Sequence, residues 1–196
     1  FAYVSRPTGG AGRIVLASAD GLGAVDSIAT PGGTRGALTQ WAEAGSRLVY
    51  STPDFRTYAV PSEGPERTFR QVGDSSMFVA QPKLSLDGRW MAFASGNLPN
   101  VQVFVQSVEG APGRWQISTT PAFDPRWTRV GRELVFEGFD GRLMSVDLDT
   151  REGFHPGTPK PLFALPQGSP GANETNWAVD GAGERFFLIV PPSTRT

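Results

Sequence analysis

Four segments of this chain repeat one short pattern, in which a glycine is followed by a polar residue and then by an apolar run rich in β-forming residues. The repeats span residues 42–50, 85–93, 128–136 and 180–188. Gly45, Gly88 and Gly131 are spaced 43 residues apart, and Gly183 follows Gly131 after 52 residues. A period of this length indicates a structural unit that cannot bury its apolar faces alone and therefore stacks against copies of itself.

Each period contains four stretches in which apolar and polar residues alternate, as expected for β-strands. The first strand precedes the repeated glycine, at residues 37–41, 78–84, 123–127 and 176–179. The second strand follows the glycine, at residues 48–51, 90–95, 134–137 and 186–190. Third and fourth strands are predicted at residues 58–60 and 67–72, 101–108 and 114–118, and 142–148 and 161–165. The fourth strands are the most polar, which suits strands at the edge of a sheet.

A period in the low forties that holds four strands is typical of a β-propeller blade. We therefore predict an all-β fold in which residues 1–196 form a β-propeller region of four-stranded antiparallel blades. The predicted boundaries are a partial blade at 1–36, complete blades at 37–77, 78–121 and 122–170, and a partial closing blade at 171–196. Both partial blades carry a second strand, at residues 1–5 and 186–190, so they would overlap rather than complete each other. This overlap favours a fragment of a larger propeller.

Composition excludes several classes of function. The net charge of −1 and the pI near 5.9 provide no basic surface of the kind that nucleic-acid binding requires. The longest apolar runs, such as 186–192, are too short to span a membrane, so we expect no membrane insertion by this segment. With no cysteine, the chain has neither disulfides nor thiolate metal sites.

Residues 82–95 read Pro-Lys-Leu-Ser-Leu-Asp-Gly-Arg-Trp-Met-Ala-Phe-Ala-Ser, which resembles the core of TolB-like propeller repeats. Leu86 stands where that family usually has proline. Other segments resemble the last blades of the C-terminal propellers of bacterial transmembrane serine/threonine kinases and related sensor proteins: 113–118, 125–136, 141–146, 154–163 and 176–189. The resemblance implies a parent protein with an N-terminal effector or kinase domain, a membrane span and an extracytoplasmic propeller, periplasmic or at the cell surface. The chain itself has no glycine-rich nucleotide loop and no catalytic loop of a kinase, so no kinase activity is predicted.

The residues of the chain do not indicate an enzyme. The only histidine, His155, lies in a segment rich in proline and glycine, and no Gly-x-Ser-x-Gly nucleophile turn is present. Loosely clustered aspartates could in principle bind a cation, but the Asp-Gly pairs are better explained as turns in which the glycine takes a positive φ: 20–21, 87–88, 140–141 and 180–181. We therefore predict no catalytic residues, no metal site and no cofactor.

The predicted function is a non-catalytic binding or sensing scaffold whose loops contact a protein or peptide partner. The candidate binding residues are Arg126, Trp127, Arg129 and Arg142. Arg126 and Arg129 lie on either side of Trp127, and several of these arginines lie at predicted loop ends. The tryptophans, by contrast, are expected mainly to pack between blades. Two alternatives stay open: a propeller-type lyase or glycosidase that uses Asp124, Glu137 and Asp180, and a structural assembly subunit that self-associates through open blade edges.

Overall fold

The fold is described from a computed structural model, which covers residues 2–5, 10–18, 20, 25–42, 45–73, 78–108, 113–166 and 177–189. In these residues the chain forms five antiparallel sheets in sequence order. Sheet 1 contains β1 (Ala2–Ser5), β2 (Arg13–Leu16) and β3 (Asp26–Ala29). Sheet 2 contains β4 (Ala37–Ala42), β5 (Arg47–Ser51), β6 (Thr57–Pro61) and β7 (Arg70–Val72). Sheet 3 contains β8 (Ala80–Leu84), β9 (Trp90–Ser95), β10 (Gln102–Ser107) and β11 (Arg114–Gln116).

Sheet 4 starts with β12 (Ala122–Thr128), β13 (Glu133–Gly138) and β14 (Arg142–Asp149). Its outer position is shared by two short strands, β15 (His155–Pro156) and β16 (Lys160–Ala164), which pair with different parts of β14. Sheet 5 contains β17 (Trp177–Val179) and β18 (Phe186–Leu188). Single 3₁₀ turns lie at Pro31–Gly33 and Arg129–Gly131, and none of the helices in the described part of the chain is long and apolar enough to cross a membrane.

This architecture confirms the predicted all-β fold of four-stranded antiparallel sheets with partial sheets at both ends. Details differ at the edges. The outer strand of sheet 2 begins at Arg70, three residues later than expected, and His155 lies in the short strand β15 rather than in a loop. Asn176 and Val190, at the ends of two predicted strands, lie outside the described residues.

The second strands of sheets 3 and 4 are buried on both faces, which shows that each of these sheets is covered on two sides. All six residues of β9 and all six of β13 are buried. Alternate residues face opposite neighbours, as the period of two in a strand requires. In β13, Leu134 and Phe136 belong to the apolar cluster between sheets 3 and 4, whereas Val135 belongs to the cluster with Trp177 of sheet 5. The sheets thus stack in a row like propeller blades.

Four apolar clusters join consecutive sheets from the first to the fifth. The cluster between sheets 3 and 4 contains an aromatic group in which Trp90 contacts both Trp115 and Phe154. Trp177 is also buried, which agrees with a packing role for most tryptophans; Trp41 is the exception, since it is 41% exposed. The row of sheets is not closed into a ring.

The repeated glycine marks the turn between the first and second strands of each unit. Its φ is positive in all four repeats, from 69° at Gly88 to 96° at Gly45. A side chain in this left-handed region is strained, which explains why the pattern retains glycine there. The turn interpretation of the Asp-Gly pairs holds for Gly88 and Gly141. Gly181 also lies in a turn, but the positive φ of that turn falls two residues later, at Gly183; Gly21 lies outside the described residues. In that turn the Asp180 carboxylate accepts hydrogen bonds from the backbone amides of Glu184 and Arg185, which lie four and five residues later in the chain.

We expect Gly131→Ala to lower the free energy of unfolding by about 1 kcal/mol. The glycine has a φ of 80° and no atom lies within 4 Å of the position that a Cβ would occupy, so backbone strain is the only cost. Gly181→Ala is the matched control, because Gly181 has equal space and no positive φ. Urea denaturation of both variants checks the prediction, and equal midpoints for the two would contradict it.

Candidate functional site

A groove with a volume of about 710 Å³ opens at one end of the stacked sheets. We call it the apolar groove and define it by five large side chains of its lining: Phe55, Phe78, Leu98, Phe123 and Phe139. The lining is drawn from sheets 2, 3 and 4 and from the segments that lead into them, so no single repeat forms the groove. Its few polar lining side chains include Thr39, Ser51, Gln81 and Asn97.

The strand order explains why these residues converge. In an antiparallel sheet, the loop between the second and third strands and the segment that enters the first strand lie at the same end. Phe55, Leu98 and Phe139 come from such loops, whereas Phe78 and Phe123 come from the entry segments or the starts of first strands. Stacking of three sheets then places all five side chains at one end of the row.

The loop that carries Phe55 is fixed by local hydrogen bonds. The Phe55 amide donates to the Thr52 carbonyl at 2.9 Å, and the Arg56 amide donates to the Thr52 hydroxyl at 3.2 Å. Phe55 itself has a φ of 61°, an uncommon conformation for an aromatic residue. This conformation brings its ring to within 4.2 Å of the Phe78 ring, centroid to centroid.

A second aromatic pair lines the groove at sheet 4, where the ring centroids of Phe123 and Phe139 are 5.2 Å apart. Leu98 belongs to the loop of sheet 3, which lies between sheets 2 and 4 in the row, and it is 77% exposed. Phe55, Phe78 and Phe139 are also exposed. This exposed apolar surface is the candidate binding surface of the described residues.

The first strands of sheets 2, 3 and 4, here called the inner strands, contribute to the groove lining, and those of sheets 3 and 4 are joined by hydrogen bonds. The Asp124 amide donates to Gln81 Oε1 at 2.9 Å, and Trp127 Nε1 donates to the Lys83 carbonyl at 2.8 Å. Gln81 and Asp124 both have a positive φ, of 51° and 48°, where the register of each first strand shifts against its neighbour. The repeat therefore preserves a bulge as well as strands.

A charged group lies further along the same inner strands. The Lys83 amine donates to the Thr39 carbonyl at 2.6 Å, and the Arg126 guanidinium donates to the Asp124 carboxylate at 2.9 Å. Burial lowers the pKa of the Lys83 amine, the nearby Arg126 charge lowers it further, and Asp124 opposes both effects. Arg126 also stacks over the ring of Trp177, 4.7 Å from its centroid. These contacts join sheets 2 to 5 along their inner edges.

The structure separates the four predicted binding residues. Arg126 and Trp127 lie on the inner strand, where they bond to Asp124 and to the Lys83 carbonyl. Arg129 lies in the turn after β12 and pairs with the buried Glu133 at 3.3 Å. Arg142 begins β14, three residues after Phe139, and pairs with Asp140 at 3.7 Å. Only Arg142 is at the end of the sheets where the groove opens.

Sequence reasoning missed the five apolar residues that define the groove. An available signal was a large apolar side chain in a short loop between the second and third strands, as at Phe55, Leu98 and Phe139. Polar residues are expected in such turns, so a large apolar side chain there indicates a candidate contact with another molecule.

The three carboxylates considered for an enzyme do not form one cluster. Asp124 and Glu137 are buried in neighbouring strands of sheet 4, and Asp124 is paired with Arg126. Asp180 lies in the turn of sheet 5, where it bonds to Arg185 and the turn amides. The described residues contain no group of three or more acidic or histidine side chains placed to hold a metal ion.

Comparison with known proteins supports the fold. No protein-family model matches the sequence, and a search of curated proteins finds no significant match. Among solved structures, TolB from Acinetobacter baumannii aligns with a TM-score of 0.65 and 18% identity over 99% of this chain and 47% of that one. The Cps50 (Swd1) β-propeller domain of Myceliophteria thermophila aligns with a TM-score of 0.52 and 9% identity over 75% of this chain and 51% of that one. A candidate 6-phosphogluconolactonase from Bacteroides uniformis has a TM-score of 0.52 and 12% identity over 83% and 55% of the two chains.

These similarities show that the chain has a β-propeller fold. At such low identity they show the fold alone. The chain spans about half the length of these solved structures.

Proposed function

We propose that this chain is a non-catalytic binding module that receives an extended segment of a partner protein in the apolar groove. The observation that carries the proposal is the convergence of five large apolar side chains from three sheets on one open groove. Because the sheets hold the loops from behind, the surface is pre-formed and a partner loses less free energy in ordering it. An apolar floor with a few scattered polar groups suits a peptide better than a sugar.

The same proposal places the chain on the extracytoplasmic side of a bacterial envelope, as part of a larger kinase-linked or sensor protein. The support for this placement is the resemblance of its last repeats to the C-terminal propellers of such proteins, together with the similarity of its fold to TolB. The similarity to a candidate 6-phosphogluconolactonase is one of fold, at 12% identity, and does not identify catalytic residues in this chain. A binding role therefore takes precedence over a lyase or glycosidase role.

Selection of a randomised peptide library on the immobilised chain tests the binding role. We expect the wild-type chain to enrich peptides with clustered aromatic or aliphatic residues, and we expect Leu98→Asp to weaken binding of the selected peptides at least tenfold, about 1.4 kcal/mol. Leu98 is 77% exposed, so an aspartate there introduces a charge into the groove without disturbing the core.

Val25→Asp is the matched control, because Val25 is an aliphatic residue with 69% exposure beside β3 and does not line the groove. It should bind the selected peptides as the wild type does. Failure of the wild-type chain to enrich any apolar peptide, or equal binding by Leu98→Asp, would overturn the proposed function.

A further inference from the structure

Arg35 is the one charged residue among the described residues that line the apolar groove. It lies directly before Gly36 and β4, at the end of the groove formed by sheet 2, and its side chain is exposed. The described part of the chain offers it neither a carboxylate within ion-pair distance nor a hydrogen-bond acceptor for its side chain. Its positive charge is therefore available to a bound molecule.

The other arginines near the groove are already neutralised. Arg56 pairs with Asp54 at 3.0 Å, and Arg142 pairs with Asp140 at 3.7 Å. Both follow an Asp-x-Arg pattern that recurs away from the groove loops, in the pairs 87–89, 124–126 and 149–151. Because each of these aspartates lies two residues before its arginine, the charge is balanced within three residues of the chain. Arg35 has no such aspartate, since Gly33 occupies that position.

We infer that the segment bound in the groove carries an acidic side chain, aspartate or glutamate, at the end that lies over sheet 2, where it pairs with Arg35. This inference rests on the proposed function and specifies its partner. A guanidinium binds a carboxylate through two parallel hydrogen bonds, which fixes direction as well as adding affinity. Apolar walls beside the pair reduce its exposure to water and so strengthen it.

The spacing of the sheets gives the length of the segment. Stacked sheets lie roughly 10 Å apart, so the two steps from sheet 2 to sheet 4 cover about 20 Å, and an extended chain spans this distance with about six residues. Arg35 is at the sheet 2 end, whereas the Phe123 and Phe139 pair is at the sheet 4 end. The expected ligand is therefore an extended segment of about six residues, acidic at one end and aromatic or aliphatic along the rest.

A randomised hexapeptide library that is acetylated and amidated at its ends tests the inference, because any carboxylate it offers must come from a side chain. We expect both the wild-type chain and Arg35→Gln to enrich apolar peptides, and only the wild type to enrich aspartate or glutamate at one end. In the peptide that the wild-type chain binds most tightly, the acidic residue is then replaced by asparagine or glutamine. This replacement should weaken binding to the wild-type chain about tenfold, as loss of a charge-assisted hydrogen bond predicts. The same replacement should leave binding to Arg35→Gln unchanged.

Arg132→Gln is the matched control, since Arg132 is an exposed arginine without an ion pair among the described residues and lies at the opposite end of the sheets. It should retain the preference for acidic peptides. Apolar enrichment without an acidic preference in the wild type, or an acidic preference that persists in Arg35→Gln, would overturn the inference and leave the proposed function standing. Absence of apolar enrichment in every variant would overturn both.

Discussion

We expect Phe136→Ala to lower the free energy of unfolding by about 3–5 kcal/mol, the usual cost of removing a buried aromatic ring. Phe136 is 1% exposed and lies in the cluster that joins sheets 3 and 4, beside Leu134 and Val146. Its removal leaves a cavity between two sheets whose backbones are held by their own hydrogen bonds, so the space cannot close fully. Urea denaturation followed by tryptophan fluorescence measures the change.

Phe187→Ala is the control for this prediction, because Phe187 is 59% exposed on the outer face of sheet 5. It should change the free energy of unfolding by no more than about 0.5 kcal/mol. If Phe136→Ala does not fold, Phe136→Leu should lower the free energy of unfolding by about 1–2 kcal/mol, which can be measured. A Phe136 variant as stable as the wild type would contradict the stacking of sheets 3 and 4.

We expect Gly36→Ala to cost about 2–3 kcal/mol of folding free energy, as overpacking of a filled site does. A Cβ at Gly36 would collide with the Ser51 carbonyl oxygen and with the ring of Tyr50. Tyr50 is fully buried, and its hydroxyl accepts a hydrogen bond from the Gly36 amide and donates one to the Thr34 carbonyl. The collision therefore disturbs the core and the start of β4 together.

The same variant should lose binding at the apolar groove, because Arg35 and Gly36 line it and would move with the displaced segment. Thermal unfolding and peptide binding, measured on the same preparation, check both effects. Gly181→Ala serves as the control, since no atom lies within 4 Å of its Cβ position. Unchanged stability of Gly36→Ala would show that the segment before β4 is not packed against Tyr50.

Two residues of β12, Arg126 and Trp127, show where prediction from the sequence stops. Arg126 and Trp127 attracted interest because they alternate at the end of a strand, and the structure gives both a packing or hydrogen-bonding role: Arg126 over Trp177, and Trp127 with the Lys83 carbonyl. Their partners lie in other repeats, about one period away in the sequence. No local pattern reveals such a partner, so the role of either residue as a binding group stays a prediction.

The positions of the strands and turns, by contrast, follow from local chemistry. Alternation of apolar and polar residues located the strands, and the repeated glycines located the turns, because both signals depend only on residues a few places apart. The period of 43 residues between Gly45, Gly88 and Gly131 then specified a stack of like sheets. These features determine the fold class without reference to distant contacts.

Only the tertiary structure decided where the proposed binding surface lies. Phe55, Leu98 and Phe139 are separated by about one period each in the sequence, and they converge because the stacked sheets present equivalent loops at one end. The isolation of Arg35 from any described carboxylate is likewise a property of packing, since it depends on which side chains the neighbouring loops bring near. A surface shared by three sheets exists only once those sheets have stacked, and so the sequence pattern of one repeat cannot contain it.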